Sequence, residues 1–115
     1  MHVQSPDTTD PAIEREIQAK GLEAPRVRPA DIEANIASEH YFTAFDAVKW
    51  VNFKEASTDG CPSELALLTF CVLVLDNGFT VTGESACASP ENFDADIGRK
   101  VARQNAVQKI WPLMG

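Results

Sequence analysis

The sequence predicts an α+β domain: an antiparallel sheet centred on one long hairpin, a C-terminal helix packed across one face, and short N-terminal helices. Three observations lead there. Asn77-Gly78 stands between two β-rich runs, "LALLTFCVLVLD" and "FTVTGES", and that dipeptide is the strongest short-range hairpin signal. The segment "SPENFDADIGRKVARQNAVQKIWP" then repeats apolar residues at helical spacing. Upstream, Asp10-Pro11 and Pro29 carry helix-start chemistry.

Residues 1–9 are polar and aperiodic and read as a disordered tail. Residues 10–29 read as a short helix plus linker. Asp10 caps, Ile13 and Ile17 share a face, Glu16 and Lys20 pair at i,i+4, and Gly21 fits the left-handed closing position. Residues 30–115 read as the α+β domain. "RPADIEANIASEH" restarts a helix at Pro29, with Ile32 and Ile36 on one face. "YFTAFDAVKWVNFKEA" fits both periodicities and is read as an irregular stretch with a strand near Val48–Phe53. "STDGCPSE" is a loop.

With a two-residue turn at Asn77-Gly78, Val74 faces Val81 and Val72 faces Gly83. The core face then carries Phe70, Val72, Val74, Phe79 and Val81. The other face carries Cys71, Leu73 and Leu75 beside Thr80, Thr82 and Glu84, and asks for a cover of its own. For the helix, Ser89 is read as N-cap, Pro90 as first residue, Phe93, Ile97 and Val101 as the buried stripe, and Gly98 as a point of close packing.

The net charge of −7 on 115 residues argues against direct nucleic-acid binding, which rests on cations meeting phosphates. The apolar run Leu65–Leu75 is far short of the about 20 residues of a membrane span. The start "MHVQSPDTTD" has neither signal-peptide nor transit-peptide character, so a cytoplasmic location is expected.

The stretch from "TFCVLVLDNGFTVTGESACASPENFDADIGRK" to "WPLMG", with "ASEHYFTAFDAV" upstream, resembles the gene product 49/66 family of small tailed-phage and prophage proteins. The likeness rests on N-G-F-x-V-x-G-x-S, then N-F-D, I-G and alanines four apart. It implies phage or prophage origin and expression inside a bacterium, and brings no mechanism with it.

Chemistry is therefore weighed residue by residue. Cys87 precedes a helix start, where a thiol can be activated, but the sequence holds only His2 and His40 as bases. The simpler reading is a small residue at a corner. His40, Cys61 and Cys87 match no metal-ligand spacing. Asp94 and Asp96 do not share a helix face. No catalytic constellation and no cofactor are expected. The best candidate surface is an anion or partner site built from Glu84, Ser85, Ser89, Arg99 and Arg103, two arginines one turn apart near a helix start. The plainer reading pairs those arginines with neighbouring carboxylates. Tyr41, Phe42, Phe45, Trp50 and Phe53 are core or partner surface; Phe42 and Phe45 read as core, and Trp50 stays open between the two.

Two functions follow. One is a non-catalytic accessory protein that binds a host protein, further copies of itself, or both. The other sequesters or processes a phosphorylated small molecule at Ser85, Ser89, Arg99 and Arg103. A homodimer is expected, from the apolar Cys71, Leu73 and Leu75 on the second sheet face.

Overall fold

The computed structural model describes residues 26–114. The expected tail of residues 1–9 and the helix after Asp10 lie outside the described residues. The architecture is α+β. Helix α1 spans Pro29–Ala34, β1 Ile36–Thr43, α2 Ala44–Lys54, β2 Leu68–Leu75, β3 Thr80–Ala86, α3 Ala95–Gln108 and α4 Trp111–Met114, with 3-10 turns at Ser63–Leu67 and Pro90–Asn92. The three strands form one antiparallel sheet in the order β1-β2-β3.

The hairpin forms, but its loop has three residues. Leu75 N–H bonds the Phe79 carbonyl, and Gly78 N–H bonds the Leu75 carbonyl. Within this loop only Gly78 takes a positive φ, +88°, as in a type I turn followed by a left-handed bulge residue. Asn77 supports it, its side-chain oxygen accepting from Phe79 N–H. The extra loop residue moves the register by one, so Leu73 faces Val81 and Cys71 faces Gly83. A one-residue slip exchanges the two faces of a strand. The expected core face is thereby reversed: Cys71, Leu73, Leu75 and Val81 are buried, and Phe70, Val72 and Val74 lie on the other side.

Helix α3 lies across the buried face. The helix starts at Ala95 rather than Pro90, because Ser89 and Pro90 open a separate 3-10 turn. Asp94 is the cap, its carboxylate accepting from Asp96 and Ile97 N–H. The buried stripe is Gly98, Ala102 and Ala106, continued by Ile110. Phe93 is half-buried, while Ile97 and Val101 face outward, Ile97 being 59% exposed. The physical reason is close approach. A Cβ on Gly83 would collide with the Ala102 carbonyl oxygen and the Ala106 backbone, so the small-residue stripe is the one that lets backbone rest on sheet. Gly98 is a milder contact, its would-be Cβ 3.1 Å from Thr69 Oγ1.

The first helix is shorter than its apolar spacing suggests. Asp31 accepts from Arg28 N–H and Ile32 is buried. The helix closes at Asn35, whose backbone and side-chain oxygens both accept from Asp76 N–H. That bond pulls Ile36 into β1 opposite Leu75, with a bulge before Ser38. The ambiguous middle stretch is helix α2, not a strand at Val48–Phe53. Thr43 accepts from Asp46 N–H while Asp46 accepts from Thr43 N–H, a reciprocal capping box.

Candidate functional site

The flank where α3 passes β1 gathers most of the polar side-chain chemistry. Because Ala102 and Ala106 rest on the sheet, the neighbouring helix positions Arg99 and Arg103 project along the β1 side. Arg103 makes four hydrogen bonds: two to Glu33 on α1, at 2.8 and 3.0 Å, and two to Glu39 on β1, at 3.2 and 3.3 Å. Tyr41 donates to Glu39 at 2.6 Å. The Arg103 guanidinium holds Glu33 below the usual carboxylate range. The Tyr41 hydroxyl, then Arg103, do the same for Glu39. Burial, helped by the bond to Glu39, pushes the Tyr41 phenol up, and burial pushes the Cys71 thiol up beneath it. Arg103 thus ties α1, β1 and α3 together, which is first of all an architectural role.

Two adjoining depressions open beside this knot. One, of about 170 Å³, runs between Tyr41, Phe42, Phe93 and Arg99. The other, of about 270 Å³, lies over Arg99, Lys100, Arg103 and Tyr41. Arg99 is ion-paired with Asp96. Lys100 has no ion pair among the described residues.

The two arginines of the expected anion site therefore share a cleft, but with Tyr41 and Lys100. Ser85 sits on β3 opposite Thr69. The Glu84 carbonyl accepts from the Asn105 amide at 2.8 Å. The Ser89 hydroxyl donates to Glu91 at 2.6 Å, which holds that carboxyl low. No hydrogen bond or ion pair joins these serines to the arginines among the described residues. Cys87 gives its thiol hydrogen to the Ser89 carbonyl, and Cys61 to that of Phe45. His40 is bonded to Ser38. Among the described residues no group of three or more His, Cys, Asp or Glu side chains is placed to hold a metal, and no helix is long and apolar enough to cross a membrane.

Glu33, Glu39, Tyr41 and Lys100 are absent from the sequence-derived site. Reading "SEHYFT" as a strand would have set Glu39 and Tyr41 on one face, two residues apart.

The aromatic residues divide. Phe42 stacks on Phe70 with ring centres 5.4 Å apart. Phe45 lies half-buried under the Lys49 ammonium, 5.5 Å from its ring centre. Trp50 and Phe53 stack at 5.7 Å on α2, yet remain 58% and 76% exposed.

A small three-stranded antiparallel sheet with one crossing helix and an exposed aromatic helix defines a small α+β domain. The chain belongs to the phage protein (N4 Gp49/phage Sf6 gene 66) family, which it matches over residues 27–115. No curated protein and no solved structure matches it significantly.

Proposed function

We propose that the chain is a non-catalytic phage accessory protein that acts inside the bacterial host as a binding module, with α2 as its contact surface. The observation that carries this reading is the stacked Trp50–Phe53 pair, left mostly in water with Val51 beside it. No residue of α2 is buried. A helix of 11 residues is marginal by itself, and its capping box and its packing beside the 3-10 turn Ser63–Leu67 keep it formed. Exposed aromatics held on a formed helix are the anchors that protein interfaces use.

The test is affinity capture from infected bacteria with the wild-type chain and a Trp50→Ser/Phe53→Ser variant, compared by quantitative mass spectrometry. The reading expects one or more proteins held by the wild type and lost by the folded variant. Identical captures contradict it.

The second reading, capture of a phosphorylated small molecule, keeps Arg99 and Arg103 and exchanges the serines for Tyr41 and Lys100. Charge weighs against it, because Asp96, Glu33 and Glu39 already neutralise the arginines. A nucleotide panel that raises the melting temperature would favour it, since a ligand at a hundred-fold excess over Kd adds about 2.7 kcal/mol.

A further inference from the structure

We infer that the sheet face opposite α3 is a homodimer interface, on which a second copy of this chain packs face to face. The proposal is independent of the α2 reading, and either can fail without the other. The strand register places three rows on this face: Ser38, Val74 and Thr80; His40, Val72 and Thr82; Phe42, Phe70 and Glu84. An antiparallel sheet with one wet face alternates apolar and polar residues along each strand. β2 does not: its residues on this face, Phe70, Val72 and Val74, are all apolar and half-buried. Helix α3 does not cover them, because it occupies the opposite side with Ala102 and Ala106 against Gly83.

Charge selects the occupant. The chain carries −7 overall, so two copies repel except where their surfaces are neutral. In these rows the only ionisable side chains are His40 on β1 and Glu84 on β3, at opposite edges and one row apart. A twofold axis parallel to β2 lays β1 of each copy over β3 of the other. It sets His40 beside the other copy's Glu84, twice, around an apolar centre of Phe70 and Val72. Glu84 has no ion pair of its own among the described residues.

The patch is small. Three strands about 4.8 Å apart and about seven residues of 3.4 Å give roughly 14 by 24 Å, or about 340 Å² per copy, which is below the area of a standard specific interface. The dimer is therefore a weak one, favoured only at high concentration.

Sedimentation velocity on the full chain, from low to high micromolar concentration, tests the proposal. The expected result is a monomer–dimer equilibrium. Thr82→Lys, at an exposed position, should raise its dissociation constant about tenfold or more. Glu84→Lys should also weaken it, with the melting temperature of each variant confirming the fold. A wild-type monomer throughout the range overturns the proposal, as does an oligomer indifferent to Thr82→Lys. A monomer in which a cysteine introduced by Val72→Cys is shielded from labelling also overturns it, and gives the face to residues 1–25 of the same chain.

Discussion

Gly83 lies directly beneath Ala102, so close that the sheet residue has no room for a Cβ. This contact decides which stripe of α3 meets the sheet. Gly83→Ala must push helix backbone away and should cost about 2 kcal/mol or more, the scale of overpacking a core. Gly60→Ala meets nothing within 4 Å and should stay within about 0.5 kcal/mol of wild type. Chemical denaturation of the two variants makes the comparison.

The same stripe orders two isoleucines. Ile110 is fully buried and Ile97 is 59% exposed. Ile110→Ala should cost about 2–5 kcal/mol. Ile97→Ala should cost less than about 1 kcal/mol, because little area leaves water there. Equal losses in urea unfolding would place the larger apolar stripe against the sheet after all.

Most of the architecture is legible in the sequence because strong local signals agree with it. Asn77-Gly78 marks the hairpin, and the long periodic segment marks the helix across it. The faces are not legible, since they hang on one loop residue: a type I turn with Gly78 as bulge and a two-residue turn use the same dipeptide. The helix stripe is misread because Phe93, Ile97 and Val101 are larger than Ala102 and Ala106, and size outweighs closeness only where no glycine waits underneath. α2 is misread as strand through its β-branched and aromatic residues, although Thr43-x-x-Asp46 carries a capping box. At the candidate site, Arg99 and Arg103 are legible as a pair. Their partners Glu33 and Glu39 are not, because they come from segments 70 and 64 residues away.

Arg103 and its two carboxylates give a pH signature. Both glutamates have folded-state pKa values below the usual 4.5. Their stabilisation is full above that value and is lost as the pH falls through the lower folded-state pKa. Arg103→Met should cost about 1 kcal/mol near neutrality, since both carboxylates are more than a third exposed and water screens the pairs. Melting curves should show the gap between variant and wild type narrowing progressively as the pH falls below 4.5. A gap constant with pH would make Arg103 a packing residue only.

Ala56 follows the end of α2 with φ at +51°, the only described non-glycine residue with positive φ. A side chain is strained there, and glycine is the usual occupant of this closing position. Ala56→Gly should stabilise the protein by about 0.5–1 kcal/mol, against the usual direction of an alanine-to-glycine change. Thermal unfolding reads the sign.

The most direct test of the account is site-specific photocrosslinking inside infected bacteria from position 50 and from position 97. The two side chains are both apolar and almost equally exposed, 58% and 59%, but only Trp50 belongs to the proposed contact surface on α2. The account predicts a discrete crosslinked partner from position 50 that position 97 does not give. The same products from both positions, or none from position 50 while position 97 captures a partner, would contradict it.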